Sequence, residues 1–462
     1  MKINSSPKIF YSLFFIILLT GSILRFYNID KKSYWLDEEL SIRLSSLSIS
    51  GIIDNSANET HPPLYYFILH YWMNLFGDSE ASARSLSAIF GIISIMLIYQ
   101  IGKLIFGREA GLISSLILAI SAFHINYSQE ARMYSLMSTL TLLSMYFFIK
   151  IINKNDYKFS TYIYYSVSSA LLIYSHIYGL FIIMAQNVYA ISLMIFSRKD
   201  VKTNFKKWLS AQLFLFLTFI PWIFVLMKQL AGIKAGVFVN ISWLVATSIK
   251  ELFLTFLLYS YYNPATLTLF LFLSIISFIV SKKFRLSHSR YLLVLWLLVP
   301  ILTPYLISKF ILPIYSPKYT ISASLPFYLL ASKGIIQLKK QYKIIVLLAI
   351  IFLSLSSIAV YYLQNENEPW NDAAGYIDKN SAENDYVLVL PSFAKYSFER
   401  YSRKESLMVI EDDGIIPSSA SEFWVVVRGK ETPHFSKKYN LLPITKFGDI
   451  YIYKMTTIKY SS

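Results

Sequence analysis

The chain has 462 residues, 55% of them hydrophobic, with a mean hydropathy of +0.49 and a formal net charge of +16. Long uncharged apolar blocks exclude an ordinary soluble domain, and the absence of cysteine excludes disulfides, thiolate metal sites and cysteine nucleophiles. Residues 364–462 carry 12 Lys/Arg against 14 Asp/Glu, so the positive excess lies in the apolar part, mostly in short connecting loops; this is the charge bias of membrane proteins and not a groove for nucleic acid.

The first block, residues 9–24, is free of charge and lacks a small-residue cleavage site followed by soluble chain, so it reads as a retained membrane helix. Eleven spans are predicted, centred near residues 17, 94, 117, 141, 169, 187, 219, 272, 300, 327 and 353. The N-terminus and the loops 103–110, 150–160, 197–208, 282–290 and 333–343 hold twenty Lys/Arg, whereas the short loops 124–132, 176–179 and 309–318 hold three. By the positive-inside rule the first set is cytoplasmic. An odd number of spans then leaves the C-terminal part outside, together with the 27–83 loop, the 124–132 turn and the 229–263 stretch. The expected organisation is mainly α: a polytopic membrane domain over 1–363, with amphipathic helices in its 27–83 loop, and a small extracytoplasmic α/β domain over 364–462. In the latter "PWNDAAGYIDKN" reads as helix and "DYVLVLP", "EFWVVVRG" and "DIYIYKM" as strands.

Candidate chemistry follows the chain. "YWLDEELS" places Asp37 and Glu38 beside two interfacial aromatics at the mouth of the first span. A solvated acidic loop is the ordinary alternative, but carboxylates held at the bilayer boundary are partly desolvated and become better bases. Adjacent helical residues point about 100° apart, so one acid would face a reacting group while the other braces it or holds a metal. "HPPLYY" puts His61 at or before a helix start, either as a cap or as a positioning or proton-handling group. "NYSQEARMYSL" brings Glu130, Arg132 and Tyr134 to the second outward turn, as an ion pair within the loop or as a site for a metal or a phosphate. His176 reads as a structural histidine, and Lys309 and Lys318 as snorkelling lysines or lipid-phosphate contacts. Sequons occur at Asn4, Asn58, Asn126 and Asn240, a pattern too frequent to carry weight.

"YWLDEELS", "HPPLYY…LFGDSEASARSLSAIFG" and "SQEARMYSL", in that order over residues 20–190, resemble the GT-C membrane glycosyltransferases, in the branch of protein O-mannosyltransferases and the aminoarabinose transferase of lipid A. The resemblance implies a polyprenyl- or dolichyl-phosphate sugar as donor, and a protein, glycolipid or lipid-linked glycan as acceptor on the outer face. It implies Asp37 as general base, Glu38 as the acid beside it, and Glu130 and Arg132 as the second-loop acid and its basic neighbour. His61 stands where some members have Lys, Arg84 matches a basic residue opening the second span, and Lys318 is a donor-phosphate candidate by position. No cofactor is fixed; a divalent cation at Asp37 and Glu130 is the one left open. Membrane lipids are partners and nucleic acid is not. A lipid or sugar transporter is the alternative, but the predicted spans are nearly free of charge in their middles, where a transporter carries its ionisable groups.

Overall fold

In the computed structural model, residues 7–58, 61–153, 158–196, 205–234, 248–279, 288–363, 368–410, 422–429 and 439–457 are described. The sequons at Asn4 and Asn240, and most of the predicted 197–208 and 282–290 loops, lie outside them. The helices are α1 (Pro7–Phe26), α2 (Leu36–Ser45), α3 (Ile49–Asn58), α4 (Leu64–Phe76), α5 (Glu80–Phe106), α6 (Arg108–Ala119), α7 (Ala122–Ser128), α8 (Tyr134–Asn153) and α9 (Phe159–Ser175). They continue with α10 (Gly179–Phe196), α11 (Phe205–Lys234), α12 (Ile249–Tyr259), α13 (Pro264–Ile279), α14 (His288–Phe310), α15 (Ile321–Gln337), α16 (Lys340–Leu363), α17 (Trp370–Asn380) and α18 (Lys395–Tyr401). The strands are β1 (Tyr386–Leu390), β2 (Met408–Ile410), β3 (Glu422–Arg428), β4 (Tyr439–Phe447) and β5 (Ile450–Thr457).

Among the described residues, six helices are long and apolar enough to cross a membrane: α1, α5, α8, α11, α14 and α16. The number rises to eight if the bent pairs α6/α7 (61°) and α12/α13 (92°) each form one span. Each of the eleven predicted centres falls inside a helix, but α9 and α15 have only 17 residues, against about 20 for a full crossing. The chain is a multi-pass membrane protein whose helices expose large apolar side chains, among them Phe15 and Leu19 on α1, Phe216 and Phe224 on α11, and Leu348 and Phe352 on α16. Such surface belongs against lipid.

The chain divides into two compact units, one of residues 1–27, 44–77 and 82–362 and the other of 28–43, 78–81 and 363–462. In the first, α15 packs against α6, α8, α13 and α14 and is buried along nearly its whole length. Small residues on α15 (Ser322, Ala323, Ser324, Ala331, Ser332, Gly334) make that close approach possible, as in membrane helix packing generally. At Gly334 a Cβ would lie 1.9 Å from the Leu273 carbonyl oxygen, an overpacking that costs about 1–3 kcal/mol or more. Between α5 and α6 the chain reverses through Gly107 alone, at φ +99°, a left-handed conformation that glycine adopts without strain.

The bend between α6 and α7 frees backbone carbonyls, and a fully buried Arg25 takes two of them, Nη1 donating to Ala119 O (3.2 Å) and Nη2 to Leu118 O (3.1 Å), while Nη1 also donates to Gly21 O (3.1 Å) one turn back on its own helix. A cation at the C-terminal end of a helix also meets its negative dipole end. At the far end of α7, Gln129 Nε2 donates to the carbonyls of Arg25 and Tyr27, and its Oε1 accepts from Tyr361. These bonds fix the turn after α7 relative to α1 and α16.

In the second unit the sheet order is β2-β1-β3-β5-β4, with β1 parallel to β2 and β3 and the remaining pairs antiparallel. Strand side chains alternate between faces. One face packs Val387, Val389, Trp424, Val426, Ile450 and Ile452 against Trp370, Ala374, Ile377 and Phe398 of α17 and α18; the other buries Leu388, Leu390, Phe423, Val425, Tyr453 and Met455.

Candidate active site

Within the membrane unit, two imidazoles and three phenols converge at the ends of different helices. His61 precedes α4, His176 and Tyr178 lie in the turn between α9 and α10, Tyr134 opens α8, and Tyr319 sits in the 3-10 turn Pro317–Thr320. The His61 and His176 rings are 5.0 Å apart, Tyr319 is 5.6 Å from His61 and 4.8 Å from His176, and Tyr134 stacks on Tyr319 at 6.3 Å. Tyr178 is held by donating to Ile314 O (2.9 Å). All five side chains are buried.

Two cations border this cluster. Arg132 and the half-buried Lys318 lie close enough to act electrostatically on both imidazoles. Burial, then the neighbouring His176, Arg132 and Lys318, hold His61 well below its ordinary range. Burial, then Arg132 and Lys318, push His176 down to about 3. Both rings are therefore neutral at physiological pH. The backbone N–H of Tyr178 donates to His176 Nδ1 (3.1 Å), which makes Nδ1 the acceptor and Nε2 the protonated donor. His176 Nε2 and His61 Nδ1 are buried with no hydrogen-bond partner among the described residues. A buried N–H that lacks an acceptor points to a ligand that brings one.

The second-loop turn is tied into the same unit. Ser87 donates to Arg132 O (3.2 Å) and pairs with the Tyr65 hydroxyl (3.0 Å), so α4 and α5 both brace it. Glu130 is half-buried and accepts from Asn126 Nδ2 (3.1 Å), while Arg84 is buried. Lys309 is exposed and lies over Phe310.

Asp37 and Glu38 belong to the second unit, in the first turn of α2, where three consecutive acids meet the positive end of the helix dipole. Glu38 is the third helical residue; its carboxylate reaches back to the Trp35 N–H (3.4 Å), the reciprocal half of a capping box. It is fully buried, whereas Asp37 is half-buried. Glu39 is buried facing Arg400 (Nε to Oε2 3.5 Å). Burial, partly offset by Arg400, raises Glu39 to about 7, and Asp78 and Glu80 add to the rise.

The membrane unit thus brings together His61, Arg132, Tyr134 and Lys318 from three separate segments, and places Glu130 in the turn beside Arg132. Sequence reasoning passed over Tyr178 and Tyr319, because interfacial tyrosines are ordinary, and gave His176 a structural role. The signal was a single His-x-Tyr, in "SHIYGL", at the turn between two apolar helices. Among the described residues, no three His, Asp or Glu side chains form a group that could hold a metal ion.

The family model described as dolichyl-phosphate-mannose-protein mannosyltransferase matches residues 60–225, a segment that contains His61, Glu130, Arg132, Tyr134 and His176 but neither Asp37 nor Lys318. An uncharacterized protein of Aquifex aeolicus is 25% identical over 144 residues, 29% of this chain and 29% of its own length, so the match spans under a third of that relative. ArnT from Cupriavidus metallidurans superposes with a TM-score of 0.64 in the apo state, at 12% identity over 97% of this chain and 98% of its own. The same protein bound to undecaprenyl phosphate gives 0.59 over the same shares at 12% identity. The oligosaccharyltransferase AglB from Archaeoglobus fulgidus, in complex with an inhibitory peptide and a dolichol-phosphate, gives 0.58 at 11% identity, over 87% of this chain and 64% of its own. The fold is that of the GT-C membrane glycosyltransferases, and the chain resembles their protein mannosyltransferase and aminoarabinose transferase branch.

Proposed function

We propose that the protein is an inverting glycosyltransferase that moves a sugar from a polyprenyl- or dolichyl-phosphate donor to a protein, glycolipid or lipid-linked glycan at the outer face of the membrane. One observation carries the reading: the neutral, buried His176, whose Nε2–H has no acceptor among the described residues, stands beside Arg132 and Lys318. Two cations and an oriented neutral donor suit a phosphate diester at the bilayer edge, where the isoprenoid tail stays in lipid and the head group meets the protein. The match to a mannosyltransferase family model and the lipid phosphates bound by ArnT and AglB support the same donor class.

In the reaction, Asp37 takes the proton of an acceptor hydroxyl as its oxygen attacks the anomeric carbon. The carbon–oxygen bond to phosphate breaks, and the lipid phosphate leaves with the electron pair. Arg132, Lys318 and the His176 N–H stabilise the charge that develops there. The phosphate needs little protonation to leave, so one base suffices, and a single displacement inverts the anomeric centre. Glu38, buried and capping α2, keeps Asp37 in place. The eleven-span topology, N-terminus inside and residues 364–462 outside, completes the proposal.

The donor reading is tested by native mass spectrometry of the purified protein with undecaprenyl phosphate. Retention by the wild type and loss in Lys318→Ala are expected; no retention, or equal retention in Lys318→Ala, would count against it. The sidedness is tested at the exposed Glu383. Glu383→Cys should react with a membrane-impermeant thiol reagent in intact cells, and labelling only after lysis would place this part inside.

A further inference from the structure

Helix α18 is seven residues long, yet it touches both ends of the outer loop that carries the acids. Arg400 near its C-terminus reaches Glu39 through Nε (3.5 Å) and Asp78 through Nη2, to the carboxylate (3.2 Å) and to the backbone carbonyl (2.6 Å). Its guanidinium also lies 4.8 Å over the Tyr34 ring, and Tyr34 in turn donates to Asp78 O (3.1 Å). The next residue, Tyr401, accepts from the Tyr34 N–H (2.7 Å) and donates to Glu80 Oε1 (2.6 Å). One turn earlier, Tyr396 lies 3.4 Å beneath the Arg43 guanidinium at the other end of α2. The helix is itself anchored: Phe398 belongs to the sheet core, and Asp378 accepts from Ser402 Oγ and the Arg403 N–H, each at 2.7 Å.

We propose that Arg400 and Tyr401 are positioning residues for the transfer reaction, clasping residues 28–43 to residues 78–81 and fixing the rotation of α2 so that Asp37 is the acid left partly open. This rests on the reading of Asp37 as the base. Successive helical side chains are about 100° apart. With Glu39 turned onto Arg400 and Glu38 buried, the half-buried position falls to Asp37. A freely turning α2 would present three acids in place of one. Arginine suits the role because its planar fork reaches two acids while it stacks on an aromatic ring, which lysine does not do at once.

The clasp is also pH-dependent. Glu39 faces Arg400 and Arg43 among cations and Asp78 and Glu80 among acids, and burial raises it to about 7. Because burial outweighs the pull of Arg400, the neutral acid is held more firmly than the ionised one, so α2 is anchored best below about pH 7 and loosens above it.

The test uses the purified full chain in nanodiscs. Hydrogen exchange over residues 36–45 is followed at pH 6 and pH 8, corrected for intrinsic chemistry, alongside turnover of undecaprenyl-phosphate mannose as donor probe. In the wild type, α2 should exchange faster at pH 8 than at pH 6. Glu39→Gln should abolish that difference and the matching step in kcat near pH 7. Arg400→Ala should expose α2 at both pH values and lower kcat by on the order of 10²-fold, as misplacement of a reacting group does, with KM for the donor unchanged. Arg400→Lys, which keeps the charge and spares the fold, should fall between the two. Wild-type protection of α2 in Arg400→Ala and Glu39→Gln would overturn the clasp even if Asp37→Asn were inactive. Loss of protection in Arg400→Ala with full turnover in Asp37→Asn would leave the clasp standing and remove the base assignment.

Discussion

In the membrane unit, His61 and His176 are buried as neutral rings beside Arg132 and Lys318; in the second unit, Glu39 is buried beside Arg400, Asp78 and Glu80. Both sites take ionisable groups out of water, and each suppresses the charge its group would otherwise carry near neutral pH. The difference lies in what remains. The first site keeps two cations near a buried imidazole whose Nε2 has no hydrogen-bond partner among the described residues, a combination that suits an anion. The second keeps an acid that is already matched to its own arginine, which is the equipment for holding a helix still. Similar burial therefore serves binding in one place and orientation in the other.

That contrast can be broken by removing the cations. Short of removing the base, the largest effect belongs to the Arg132→Ala, Lys318→Ala double variant. Hydrogen bonds to charged groups are worth about 1.5–3 kcal/mol each, so each cation should account for about ten- to a hundredfold in donor affinity. The measurement is a titration of undecaprenyl phosphate against the purified protein. Unchanged affinity would reduce the cluster to a packing motif.

A smaller effect is expected from His176→Phe, which keeps the ring and deletes the Nε2 donor. One neutral hydrogen bond is worth about 1 kcal/mol, or roughly fivefold in donor affinity. The same titration reads it, and a loss as large as that of the double variant would mean that the ring carries charge after all.

The smallest effects sharpen the comparison through pH. His176 has its pKa lowered from 6.5 to about 3. Between those values the unfolded chain binds more protons than the folded one, so this site loses stability as pH falls below 6.5. Glu39 is raised from 4.5 to about 7, and there the folded chain binds more protons, so that site is fully stabilised below 4.5 and loses stability as pH rises towards 7. Thermal unfolding in detergent from pH 5 to pH 8 should separate them. His176→Phe should be less sensitive to acid than the wild type, and Glu39→Gln should gain relative stability at the alkaline end. Parallel profiles for both variants would contradict the opposite signs.

The membrane helices were legible in the sequence because uncharged blocks have one physical use, and α2 because three acids in its first turn follow an interfacial Tyr-Trp pair. The strands β1, β3 and β5 were legible as apolar runs, whereas β2, with three residues, and β4, with its exposed Leu442 and Ile444, give no such signal. The bend at Ser121 was not legible, because apolar residues continue on both sides of it, and α12 was not read as a helix because it lies within the 229–263 stretch taken for a connection. In the site, His61, Glu130, Arg132 and Tyr134 were marked by their motifs. Lys318 was chosen by position alone, and its nearness to His176 joins residues 142 positions apart in the chain. Arg400 was invisible for the same reason: nothing local to "SFERYS" announces a partner at Glu39.

The most direct measurement is sugar transfer from a defined polyprenyl-phosphate donor to envelope acceptors by purified wild-type protein and Asp37→Asn, compared side by side. The substitution keeps the shape of the side chain and removes its proton affinity. Wild-type transfer should fall by about 10²–10⁴-fold in the variant, with undecaprenyl phosphate still bound at wild-type affinity. Near wild-type turnover in Asp37→Asn, or no transfer by either protein, would contradict a lipid-phosphate-dependent transferase that uses this acid as its base.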